Sequence, residues 1–263
     1  MSEELLYEVR DGVGTITFNR PQARNALTFA MYDGLAEICE TAADKGPGKS
    51  DVKALVLRGA GDKAFAAGTD ISQFRSFRTA EDALSYEQHI DKVLGAVERC
   101  PLPTVAALAG ACTGGGAGIA AACDIRIAAR DLKFGFPIAR TLGNCLSARN
   151  LARLSALMGA GRTREIIFTS RLVEAEEALA AGLVTELLDD KAAVEARAAE
   201  LAALLAGQAP LTLRATKEAL RRLTAAAADV EDKDLIVQCY TSEDFHEGLE
   251  AFLGKRKPDW KGR

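Results

Sequence analysis

The chain has 263 residues, 48% of them apolar and 27% charged, with a formal net charge of −4. That is the make-up of a globular protein long enough for one large core, and it gives no pull toward nucleic acid or an anionic membrane. No apolar run approaches the ~20 residues of a membrane span, and the Met-Ser-Glu-Glu start lacks the basic and apolar regions of a signal peptide. Six cysteines include no C-x-x-C pair, so free buried thiols are expected rather than disulfides or a metal site, in a cytoplasmic setting.

In chain order, Asp11-Gly12 between Leu5–Arg10 and Val13–Asn19 predicts a tight hairpin. A polar turn from Asn19 to Leu27 then feeds a helix capped by Thr28, with Met31, Leu35, Ile38 and Ala42 on one face and Gly46-Pro47-Gly48 as its stop. Val52–Leu57 reads as a buried strand, Gly59–Asp70 as a loop of small residues, and Ala80–Arg99 as a helix burying Tyr86, Ile90, Val93, Leu94 and Val97. Asp70 reads as a helix cap.

The centre of the chain is Pro101–Ala129. A small-apolar strand, Thr104–Ala109, runs into Thr113-Gly114-Gly115-Gly116-Ala117-Gly118, then a helix, then a second strand, Ile125–Ala129. Three glycines at a strand-to-helix junction permit close approach of a ligand to backbone N–H groups, though a tight turn alone would use them too. Beyond it, Leu132–Phe136 predicts a short strand and Pro137–Cys145 a loop. The remainder is mostly helix: Leu146–Met158, Arg162–Thr169, Ala175–Ala181, Lys191–Ala206, Leu211–Ala227 and Glu243–Gly254, interrupted by a strand at Leu183–Leu187. Two glycine-bearing loops, at Gly68-Thr69 and Gly114–Gly116, each come after a buried strand. If both strands end at one sheet edge, their amides converge on a single oxygen.

These pieces, in this order, resemble the enoyl-CoA hydratase/isomerase (crotonase) superfamily. The resemblance rests on Asn19-Arg20-Pro21 with Asn25-Ala26-Leu27, on Ala64 through Ile71, on Gly110 through Ile125, on Thr169-Ser170-Arg171 with Ala178–Val184, on Ala209-Pro210-Leu211, and on Ser242 through Pro258. It implies an α/β fold: a spiral of ββα units over residues 1–190 and a helical C-terminal region over 191–263 for trimerisation and completion of the coenzyme A site. It implies an acyl-CoA thioester as substrate, with coenzyme A entering as part of that substrate and no permanently bound cofactor or metal. It also implies a homotrimer or a dimer of trimers.

Carried over residue by residue, the oxyanion-hole positions fall on the backbone N–H groups of Thr69 and Gly115. Arg24, Ala26, Ala64, Ala66, Gly68, Phe252 and Lys255 fall on positions that contact coenzyme A. The hydratases' two glutamates do not carry over: their positions hold Gly118 and Ile138, and the sequence offers no evident substitute carboxylate. Arg140, Asn144 and His89 are the polar candidates for acyl recognition, while Cys112 and Cys145 read as inert thiols. The expected activity is therefore acyl-CoA chemistry through enolate stabilisation. Decarboxylation of a malonyl-type thioester and non-catalytic binding of acyl-CoA or RNA are the alternatives.

Overall fold

Asp11 and Gly12 both take positive φ, 51° and 77°, closing a two-residue turn between β1 (Leu5–Arg10) and β2 (Val13–Phe18), which pair antiparallel. The computed structural model describes residues 3–44 and 51–263, so the expected Gly46-Pro47-Gly48 stop lies outside the described residues. The Thr28 hydroxyl accepts from the Met31 amide and starts α1 (Phe29–Thr41), whose Met31, Leu35 and Ile38 are buried as their spacing predicts.

From here strands come in pairs, with helix after each pair. β3 (Ala54–Gly59) and β4 (Ala64–Ala66) precede α2 (Ala80–Arg99). β5 (Thr104–Leu108) and β6 (Ala111–Thr113) precede α3 (Gly115–Ala122). β7 (Ile125–Ala129) and β8 (Lys133–Gly135) precede α4 (Ile138–Thr141), α5 (Ala148–Met158) and α6 (Ala160–Thr169). The first strand of each pair joins a six-stranded sheet of order β1-β2-β3-β5-β7-β10, with β10 at Glu186–Leu188, parallel from β2 onward. The second joins a four-stranded sheet of order β4-β6-β8-β9, in which β9 (Val173–Glu174) is antiparallel to β8. This is the expected spiral of ββα units.

The chain ends with α7 (Ala175–Ala180), β10 (Glu186–Leu188), α8 (Lys191–Ala206), α9 (Pro210–Ala227), α10 (Lys233–Tyr240) and α11 (Glu243–Leu253). Alternation along the parallel strands sends Leu55, Leu57, Ala106 and Leu108 into the main core, while Ala54, Val56, Val105 and Ala107 meet Val194, Ala198, Leu201 and Ala202 of α8 on the opposite face. A third apolar cluster joins Phe74 and Ala83 to Tyr240, Phe245 and Leu249, fixing α10 and α11 against α2.

Three expectations are corrected. Pro137–Cys145 contains a helical turn, α4, rather than loop throughout, because the Leu142 and Gly143 amides both close onto the Ile138 carbonyl. The strand placed at Leu183–Leu187 is Glu186–Leu188: Leu183 and Val184 are buried but lie before the ladder to β7. Gly59–Asp70 is not loop throughout: Ala64–Ala66 form β4 by pairing with β6.

Candidate functional site

The first loop of the site, after β4, is held by the turn that begins at Asn19. Asn25 sits at φ 55° and is fully buried; its amide donates to the Ala60 and Ala64 carbonyls at 2.9 and 2.8 Å, and its Oδ1 accepts from the Arg20 amide. Asn is among the few residues that tolerate this left-handed conformation. Arg20 in turn donates to the Ala26 carbonyl and pairs with Asp70 at 3.0 Å. Leu27 bridges Thr69 in parallel fashion: its amide donates to the Gly68 carbonyl and its carbonyl accepts from the Asp70 amide, each at 2.8 Å. Since the flanking peptide groups make both bonds, the N–H of Thr69 itself points away from Leu27. Its side chain is fixed too, with Oγ1 2.9 Å from Tyr32 Oη and 3.0 Å from Tyr86 Oη.

The second loop leads from β6 into α3. Gly114 takes φ 52° and ψ −123°, a conformation closed to other residue types, and its amide donates to the Gly135 carbonyl of β8. A Cβ at Gly115 would lie 1.8 Å from Tyr32 Oη, and one at Gly116 2.2 Å from the Ala66 carbonyl oxygen. A Cβ at Gly114 would lie 3.3 Å from the Gly68 Cα, so the two loops are in contact. Gly115 opens α3, and the first amides of a helix have no partner within it.

Both loops border one cavity of about 570 Å³. Arg24, Ala26, Gly68, Thr69, Gly115, Gly118, Ile138, Asn144 and Phe252 all line it, brought there from distant parts of the sequence. Gly118 and Ile138 present no carboxylate; a Cβ at Gly118 would sit 3.2 Å from Leu94. The structure does not bring every candidate to the cavity. Arg140 is exposed and outside its lining, which this loop reaches with Pro137, Ile138, Thr141, Leu142 and Asn144 instead. His89 Nε2 lies 2.7 Å from Asp33 Oδ1, away from the cavity lining, and Lys255 is exposed at φ 52°. Ala64 and Ala66 are buried in β4 rather than on the cavity wall.

One carboxylate that the sequence reading did not single out, Glu87, reaches the cavity. It lines the cavity from α2, is only 5% exposed, and accepts a 2.5 Å hydrogen bond from Tyr240 Oη. Asn144 Nδ2 donates to the same Tyr240 oxygen at 3.1 Å, and Asn144 Oδ1 is buried without a hydrogen-bond partner. Burial pushes the Glu87 carboxyl up to about 8; the Tyr240 hydroxyl opposes this, and the charges of Asp91 and Asp232 reinforce it. The signal was present in the sequence. Ala83, Glu87, Ile90, Leu94 and Val97 recur at four- and three-residue spacing, which puts a glutamate in the apolar stripe of an amphipathic helix. Asp70 differs: burial raises it, but hydrogen bonds from Ser72 and Arg20 outweigh that and hold it below the usual carboxylate range.

Such a site, with two backbone amides at adjoining loops of a ββα spiral and a mostly apolar cavity beside them, suits a reaction that builds negative charge on one oxygen. The chain belongs to the enoyl-CoA hydratase/isomerase family, which residues 8–263 match. It is 33% identical over 256 residues to the short-chain-enoyl-CoA hydratase of Clostridium acetobutylicum, covering 96% of this chain and 95% of that protein. Among solved structures, it resembles an enoyl-CoA hydratase/carnithine racemase from Magnetospirillum magneticum (36% identity, TM-score 0.78, 100% of this chain and 97% of that one). It also resembles methylmalonyl-CoA decarboxylase in complex with 2-nitronate-propionyl-CoA (27% identity, TM-score 0.89, all of both chains). Among the described residues, no helix is long and apolar enough to cross a membrane, and no cluster of three or more His, Cys, Asp and Glu could hold a metal ion.

Proposed function

We propose that the protein binds an acyl-CoA thioester with its carbonyl oxygen between the amides of Thr69 and Gly115 and stabilises the enolate that forms at the α-carbon. The observation that carries this reading is the contact between the two glycine loops, with the Thr69 N–H turned away from Leu27 and Gly115 at the start of α3. Each such donor is worth about 3 to 4 kcal/mol to a developing oxyanion in an enclosed site. Arg24, Ala26, Gly68 and Phe252, all on the cavity wall, are proposed to contact the coenzyme A portion. The family membership and the thioester-acting relatives support the substrate class.

Hydration of the two-glutamate kind is not supported, because Gly118 and Ile138 leave water without the paired carboxylates. Decarboxylation of a malonyl-type thioester is the second reading. It is favoured by that same loss, since departure of carbon dioxide generates the enolate without a base, and by the likeness to methylmalonyl-CoA decarboxylase. The test is a panel of saturated, unsaturated and malonyl-type thioesters incubated with the protein in D₂O and analysed by mass spectrometry. Enolate chemistry places deuterium at the α-carbon; decarboxylation also shortens the malonyl-type acyl group. Tight binding without exchange or turnover across the panel overturns both readings and leaves a non-catalytic binder.

A further inference from the structure

Enolate chemistry needs a group to carry the proton, and the identity of that group rests on the reading of the cavity as an enolate site. Among the described residues lining it, the side chains that titrate are Arg24, Asp70, Tyr86 and Glu87. A guanidinium does not give up its proton in proteins, which removes Arg24. Asp70 is engaged by Arg20 and by both the amide and hydroxyl of Ser72. Tyr86 is tied to Thr69, and burial pushes its hydroxyl up, away from neutral pH. Glu87 remains: buried, on the cavity wall, and held by the Ser147 backbone amide and by the Tyr240 hydroxyl, which is itself held by Asn144.

We propose that Glu87 is the group that moves the substrate proton in this cavity, with Tyr240 and Asn144 as its positioning residues. The Glu87 carboxylate takes a proton from the α-carbon of the thioester. The C–H bond breaks, an O–H bond forms, and the released electron pair becomes an enolate whose oxygen lies on the Thr69 and Gly115 amides. The carboxylic acid then returns the proton to the α-carbon or, in a β,γ-unsaturated chain, to the γ-carbon, so that the double bond moves into conjugation with the carbonyl. One carboxyl that removes a proton, exchanges it with solvent and returns one to carbon adds no water, which points to double-bond shift rather than hydration.

The surroundings of Glu87 favour this use. Asp91 on its own helix and Asp232 beside α10 raise its proton affinity, the Tyr240 hydroxyl lowers it, and Tyr32, Tyr86 and Cys145 stand within its electrostatic reach. A carboxyl pushed up to about 8 is a stronger base than an ordinary carboxylate, yet still partly ionised near neutrality.

The experiment is α-proton exchange of butyryl-CoA in D₂O and isomerisation of 3-hexenoyl-CoA, for wild type, Glu87→Gln and Tyr240→Phe, beside calorimetric affinities. Glu87→Gln is expected to slow both reactions at least about 100-fold, with butyryl-CoA affinity within about threefold. The wild-type exchange rate should climb with pH through a midpoint near 8. Tyr240→Phe should keep the reaction but move that midpoint upward, because it loses the hydroxyl that favours the ionised form; a merely structural role would not shift it. Should Glu87→Gln fail to fold, Glu87→Asp serves instead, with a slower rate and the pH limb retained. Exchange by Glu87→Gln within threefold of wild type, or a flat wild-type profile from pH 6.5 to 9, overturns the assignment and leaves the enolate reading standing. Binding without exchange by the wild type overturns both.

Discussion

Replacing Glu87 by Gln should stabilise the protein, and by an amount that grows with pH. Burial pushes the carboxyl from its ordinary 4.5 up to about 8. The folded chain therefore holds this proton more tightly than the unfolded chain, and between those two values it binds more protons. Stability contributed by the protonated form is fully present below pH 4.5 and is lost as pH rises toward 8. Between pH 5 and pH 7 the loss works out at about 2 to 3 kcal/mol, taking 1.36 kcal/mol for each pH unit and allowing for partial titration at the lower end. A glutamine keeps the oxygen that accepts from Tyr240 and carries no titrating proton, so the variant escapes this term. Urea unfolding of both proteins at pH 5, 6 and 7 reads the difference directly. The stability gap should widen by about 2 to 3 kcal/mol across that range. A gap constant to within about 0.5 kcal/mol would refute the reasoning and place Glu87 in contact with water.

Crotonyl-CoA hydration should be far slower than in a two-glutamate relative, and a steady-state assay with purified protein checks this; robust hydration would mean that another group positions the water. Gly115→Ala should abolish α-proton exchange, because its Cβ would fall 1.8 Å from Tyr32 Oη and force the loop away from Thr69. Arg140→Met should leave the affinities for acetyl-CoA and succinyl-CoA unchanged relative to each other, since Arg140 is exposed outside the cavity; selective weakening toward succinyl-CoA would put it in the site. Sedimentation should show a trimer or a dimer of trimers, in keeping with the exposed Leu211, Leu220 and Leu223 of α9, and monomer alone at micromolar concentration would remove the subunit-completed site.

Local chemistry makes much of the fold readable. The Asp11-Gly12 turn, the Thr28 cap and the long helices at Ala80–Arg99 and Lys191–Ala206 each arise from a few adjacent residues, and each stands where the sequence puts it. The order of motifs along the chain likewise points to the family and to the two glycine loops as partners. What short-range pattern does not carry is a strand of two or three residues. β6 and β9 are too brief for alternation to register, and they are strands because β8 pairs with both and β4 with β6. The same limit applies to the acid of the cavity. Family resemblance places a carboxylate at positions 118 and 138, where neighbours in sequence would announce it. Glu87 is announced only by sitting in a stripe meant for apolar residues. Its solvent is removed by α2 packing against α10 and the Asn144 loop, and that packing, with Tyr240 closing on it from 153 positions away, is what decides its proton affinity. Spacing within one helix determines which way the carboxyl faces; only the tertiary structure decides what it faces.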